Sequence, residues 1–162
     1  MAYQKLQVGL GVNVIPNDTL DIPNPSGYTL TGSVTSAPAA TALIDTSATF
    51  LANNISAGMV VYNTSNNTVI AEIISVNSET SLTIAVRTAT GGFTTGNTYT
   101  IYANTDNPGC VLYVGGAGDL RVLTSSGSDI TFTGVLAGSF IPVQVKRVFA
   151  TSNTASSILA LW

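Results

Sequence analysis

Residues 110–150 read CVLYVGGAGDLRVLTSSGSDITFTGVLAGSFIPVQVKRVFA, and the fold is decided there. Apolar side chains alternate with polar ones, or run in short blocks, over Val111 to Val114, Leu120 to Thr124, Ile130 to Val135 and Ile141 to Ala150. Between the blocks stand glycine and serine clusters that end regular structure. Period-two alternation places successive side chains on opposite faces, so these blocks predict β-strands and not helices. In Ile141-Pro142-Val143-Gln144-Val145-Lys146-Arg147-Val148 the alternation is broken by two consecutive polar residues, which predicts a β-bulge or an edge. Pro142 argues for an edge or a strand start, because it cannot donate to a ladder.

The same texture extends in both directions. Strands are expected over Met59 to Tyr62, Thr68 to Val76, Ser81 to Arg87, Thr98 to Tyr102 and Ser157 to Trp162, with turns at Asn66-Asn67 and Asn77-Ser78-Glu79-Thr80. Only Thr46 to Asn54 offers a short helix. Two Asn-Pro turns, Asn24-Pro25-Ser26-Gly27 and Asn107-Pro108-Gly109, each stop a strand and allow the chain to reverse. The segment between them has its own strands. The expected architecture is therefore an all-β chain: a β-sandwich or barrel base domain from residues 1–25 plus 106–162, interrupted by a small inserted β-barrel-like module over 28–103.

Of the 162 residues 45% are apolar and only 8% are charged, against a usual charged share of about 25%. Polar surface must come from Thr, Ser, Asn and Gly. These groups cost less to desolvate than charges, so such a surface is suited to permanent burial against neighbours. Five basic and eight acidic residues give a net charge of −3, which provides no basic stripe for phosphates, and no nucleic-acid partner is expected. No stretch approaches the roughly 20 apolar residues of a membrane span. The start, Met1 to Pro16, lacks the charged opening and continuous apolar run of a signal peptide, so the chain is expected to be cytosolic when made.

There is no histidine and one cysteine, Cys110. His-dependent triads, His-ligated metals and thiolate clusters are thereby removed, and Cys110 within Cys110-Val111-Leu112-Tyr113-Val114 reads as a buried small hydrophobe. Asp18 and Asp21 form the nearest carboxylate pair, in a Pro/Thr turn where Asp commonly serves as a local backbone acceptor. Asp119 and Arg121 flank Leu120 and predict an ion pair on one strand face. Gly115-Gly116-Ala117-Gly118 lacks the Lys-Ser/Thr and helix of a phosphate loop and reads as a tight turn. No spaced Ca²⁺ loop is visible. Neither catalysis nor a cofactor is expected.

Several motifs carry a family resemblance. They are Pro16-Asn17-Asp18-Thr19, Asp21-Ile22-Pro23, Leu112 to Val122, Gly127-Ser128-Asp129-Ile130-Thr131-Phe132-Thr133-Gly134-Val135, Gly138 to Val148, and Ala150 to Trp162. In this order they resemble the spike-base proteins of gene transfer agents and related small virion proteins of tailed phages, including cyanophage-like ones. The resemblance covers about half the chain and nearly all of the base domain. Members of that family are typically short, so residues 28–103 stand here as an insert. The insert is similar to small β modules of other phage structural proteins through Leu43 to Phe50, Gly58 to Asn63 and Glu79 to Thr83.

The resemblance implies a capsid-surface virion protein: either a ring at head vertices on which a fibre stands, or a decoration or cement protein between capsomers. Its partners would be further copies of itself, as a pentamer or trimer, the major capsid protein and a spike or fibre protein. Lys146 and Arg147, at the phase break, and Trp162, in the apolar run Ile158-Leu159-Ala160-Leu161-Trp162, are the candidate interface residues; the two cations have the alternative reading of a solvated edge whose charge discourages stray pairing. Trp162 has a second reading, closure of its own chain's core. The alternative function is a receptor- or carbohydrate-binding tail or spike module, with Tyr28, Tyr62, Phe93, Tyr99 and Tyr102 lining a groove. A polysaccharide-cleaving enzyme would need a positioned carboxylate pair, and the acidic residues are scattered.

Overall fold

The computed structural model describes residues 9–27, 29–37, 39–66, 69–88, 91–103 and 107–162. Tyr28, Asn67, Thr68 and the stretch 1–8 lie outside them. Within the described residues the protein is all-β, with two antiparallel sheets and no helix. The strands are β1 (Gly11–Asn13), β2 (Thr29–Ser33), β3 (Ala42–Ile44), β4 (Val60–Asn63), β5 (Ile70–Ser78), β6 (Ser81–Val86), β7 (Thr98–Tyr102), β8 (Cys110–Gly116), β9 (Gly118–Thr124), β10 (Asp129–Val135), β11 (Ser139–Val148) and β12 (Ser156–Leu161). The chain divides into two compact units, Met1–Ser26 with Asp106–Trp162, and Gly27–Thr105.

The first unit holds a sheet in the order β1-β12-β8-β11-β9-β10. Its pivot is β11. The strand begins against β8, with Ile141 opposite Leu112, and ends against β9, with Val148 opposite Val122. Two register shifts make the transfer possible. Between Ile141 and Val145 three residues of β11 stand against one of β8, and one extra residue enters between Val145 and Arg147. Such bulges bend a strand and let it turn a corner. Pro142, which has no N–H, falls in the first irregular stretch; β11 lies inside the sheet and is not an edge. The second shift explains the broken alternation, because it turns both Val145 and Val148 into the core although they are three apart.

The glycines of 115–118 do not make a tight turn. Both β8 and β9 run antiparallel to β11, so the chain passes from one to the other without reversing. What requires the small residue is the approach of the chain entering β12: a Cβ on Gly118 would stand 2.5 Å from the backbone of Thr154 and Ala155. The core contains Leu112, Val114, Leu120, Val122, Ile141, Val145, Val148, Ile158 and Ala160. Cys110 is buried in it, as read from the sequence, with its Sγ directed at the Val145 carbonyl at 3.2 Å. Burial pushes the thiol up to about 12.

The second unit orders its strands β2-β7-β4-β5-β6-β3. The segment following β2 then meets β3: Thr35 N–H donates to the Ile44 carbonyl at 2.8 Å, and Ile44 N–H donates to Ser36 at 3.0 Å. The two ends of the sheet are thus joined. Phe50, Phe93 and Tyr99 fill the interior beside Leu43, Ile73, Leu82, Ile84 and Ile101. Residues 46–54 form turns and not the expected short helix. Phe50 N–H is taken by the Glu79 carbonyl, and Leu51 and Ala52 N–H by the Glu79 carboxylate. One helical bond follows, from Asn53 N–H to Thr49, and Asn54 at φ 55° ends the turn.

Candidate assembly surface

Asn17 to Ile22 of the first unit lie along β11, and the bulge holds them there. Asn17 N–H donates to Val148 and Ile22 N–H to Lys146, at 2.9 and 2.8 Å. Arg147 makes an ion pair with Asp21 at 2.7 Å and also donates to the Asp18 carbonyl at 3.0 Å. Asp18 is not a local acceptor. Its carboxylate receives the N–H groups of Ala150 and Thr151, each at 3.0 Å, and the Thr151 hydroxyl at 2.7 Å. These bonds, with the Thr151 N–H foremost, hold the Asp18 carboxyl below its ordinary value against a smaller opposing effect of burial. The local turn acceptor is Asn17, whose side-chain oxygen takes the N–H groups of Thr19 and Leu20.

Arg121 pairs with Asp129 across β9 and β10, through two bonds of 3.0 and 2.7 Å, and not with Asp119. The diagonal neighbour on the next strand lies within reach of a long side chain, and the Asp119 carboxylate is engaged elsewhere. Asp119 instead accepts the Gly134 N–H at 2.8 Å, at the bulge in β10. The Arg121 bond lowers the Asp129 carboxyl. The Arg121 guanidinium also stands over the Phe149 ring, 4.4 Å from its centroid, with Arg147 at 5.8 Å from the same ring.

The three candidate interface residues have different surroundings. Arg147 is committed to Asp21 and Asp18 of its own chain. Lys146 is half-buried and makes no ion pair among the described residues. Trp162 packs against its own unit's core, exchanges backbone bonds with Leu10, and points its indole N–H toward Asn107 at 3.4 Å. Asn107 accepts the Gly109 N–H in its Asn-Pro turn, and Asn24 does the same for Ser26 in the other.

Sequence reasoning missed the outer surface of β10. Among the described residues this strand ends the sheet and pairs with β9 alone, and it is exposed along most of its length. Ile130 stands at its rim, Leu136 follows at 72% exposed, and Phe140 of β11 is 55% exposed with its ring edge-on to Tyr113. Alternation identified the strand, but its position at an edge depends on partners far away in sequence.

In the second unit the aromatics do not form an exposed platform. Tyr62, Phe93 and Tyr99 are buried and Tyr102 is half-buried against Tyr62; Tyr28 lies outside the described residues. A recess of about 310 Å³ is lined by Leu30, Thr31, Ser33, Asp45, Ser47 and Thr49, among others. The Asp45 carboxylate in it is occupied by Tyr99 Oη at 2.8 Å, Ser33 N–H at 3.1 Å and Ser47 N–H at 2.9 Å. Burial, with the Asp45 bond, drives the Tyr99 hydroxyl far above its ordinary value. Gly32 makes room for the pair, since a Cβ there would meet Asp45 Oδ2 at 2.5 Å. The group is a satisfied structural network.

No group of three His, Cys, Asp or Glu able to hold a metal occurs among the described residues, and no described helix is long and apolar enough to cross a membrane. Set against family models, curated proteins and solved structures, the chain matches none.

Proposed function

We propose that the chain is a virion structural protein of a phage-like particle, placed on the capsid surface as a decoration, cement or vertex spike-base subunit and assembled as a symmetric homo-oligomer. The observation that carries this is the β10 edge, left without a second partner strand among the described residues and bearing the exposed Ile130, on a protein whose Arg87, Arg121 and Arg147 each pair with a carboxylate of their own chain. A surface with few uncommitted charges loses little on being covered. The motif resemblance of the base segments supplies the virion context, and the major capsid protein and a spike or fibre are the partners it implies.

Immunogold labelling of particles purified from producing cells tests the proposal. Gold at symmetry-related positions on the head is the expected result. Recovery of the chain only outside particles, or only on tail tips, overturns the capsid reading.

A further inference from the structure

The backbone of β10 shows which groups face its free edge. Thr124 N–H donates to Ser128 across the β9–β10 hairpin at 2.9 Å, which makes 124 and 128 a hydrogen-bonded pair. The register continues with Ile130 opposite Val122 and Phe132 opposite Leu120. Hydrogen-bonded and non-bonded pairs alternate in an antiparallel ladder, so Ile130 and Phe132 bond to β9, while the N–H and C=O groups of Asp129 and Thr131 point away from it. Thr133, at the start of the bulge, continues that outward set.

Residues 129–133 read Asp-Ile-Thr-Phe-Thr, and this order is self-complementary. If a second copy is laid antiparallel with Thr131 opposite the partner's Thr131, then Asp129 faces the partner's Thr133 and Ile130 faces the partner's Phe132. Every outward backbone group meets an outward one, giving about six new bonds at two per outward pair. Apolar side chains fall on one face of the joined ladder, threonines on the other. No like charges oppose each other, and Asp129 keeps its pair with Arg121. The segment contains neither Lys nor Pro, the residues that commonly guard an edge, and the bulge after Phe132 limits pairing to this short run.

We infer that β10 is a self-association edge, joining two copies of this chain antiparallel about a two-fold axis at Thr131. The contact is isologous, so a trimer or pentamer would use another surface as well. It deepens the reading of the chain as an assembly subunit, yet the two fail separately, since the contact is measured on purified protein without capsids.

Cysteine crosslinking reads the register. In a hydrogen-bonded antiparallel pair the Cα atoms lie about 5.5 Å apart, within disulfide range. Thr131→Cys should therefore oxidise to a covalent dimer on a non-reducing gel, while Thr133→Cys, whose counterpart in the partner lies some four residues away, should give at least about tenfold less. Cys110 is buried and does not compete. Sedimentation of the unsubstituted protein should show a concentration-dependent dimer, weakened by Thr131→Asp, which sets two carboxylates face to face. Mixing Thr131→Asp with Thr131→Lys should restore association. A protein that stays monomeric at all concentrations, equal crosslinking at 131 and 133, or no recovery on mixing overturns the inference.

Discussion

The two units place their aromatic side chains in opposite ways. Gly27–Thr105 buries Phe50, Tyr62, Phe93 and Tyr99, with Phe50 and Tyr99 at 6.4 Å between ring centroids. In the unit formed by Met1–Ser26 and Asp106–Trp162 the fully buried core is aliphatic apart from Cys110, while Tyr113, Phe132, Phe140, Phe149 and Trp162 sit at its rim or surface. The difference follows sheet closure. Where the ends of a sheet are joined, large rings fill the enclosed interior; where a sheet keeps an edge strand, aliphatic side chains make the buried layer and the rings lie at its rim.

The sharpest way to break this contrast is Tyr99→Ala. It removes a buried ring and leaves the Asp45 carboxylate without the Tyr99 hydroxyl, so a loss of about 3–5 kcal/mol from the second unit is expected by analogy with large-to-small aromatic truncations. Trp162, the only tryptophan, belongs to the first unit and supplies a separate signal. In urea, part of the β circular dichroism should vanish at lower denaturant while the Trp162 fluorescence midpoint stays in place. Equal movement of both signals would show that the two cores unfold as one.

A smaller effect separates the units by pH. The Asp18 and Asp129 carboxyls are both lowered in the folded first unit. A depressed folded pKa contributes stability that is fully present above the unfolded value, near 3.8, and is lost as pH falls through the folded value. Acidification from pH 5 toward pH 2 should therefore lower the melting temperature read by Trp162 fluorescence. Asp18→Asn should flatten that slope; an unchanged slope would remove Asp18 from the account.

Much of the fold was legible. Alternation placed the strand over Thr98–Tyr102 and put the later strands within a few residues of their ends, and the phase break at Lys146-Arg147 marked a real bulge. Short strands were not legible. Gly11–Asn13 and Ala42–Ile44 have three residues each, and Thr29–Ser33 carries a glycine; distant ladder partners make them strands, not their own pattern. The glycines at 115–118 were misread for the same reason, because the chain that crowds Gly118 comes from Thr154 and Ala155. Among the candidate site residues, the sequence singled out both Arg147 and Asp21 but not their pairing, since they stand 126 positions apart.

Phe140 gives the smallest expected change in stability and the closest test of surface against core. Its ring is 55% exposed and touches Tyr113 edge-on at 5.3 Å. Opposed pairs of this kind contribute about 0.5–1.5 kcal/mol beyond area burial, and solvent on the open side removes most of the burial contribution itself. Phe140→Ser should therefore shift the Trp162 unfolding midpoint by a fraction of what Tyr99→Ala does to the second unit. If surface aromatics of the first unit serve contacts, the same substitution should weaken attachment to particles well beyond its effect on folding. A midpoint loss as large as that of Tyr99→Ala would make Phe140 a core residue in energetic terms, and intact attachment would leave its exposure without a role in assembly. The discriminating quantity is the ratio of the two effects, because a general loss of fold moves both together while a contact residue moves only the second.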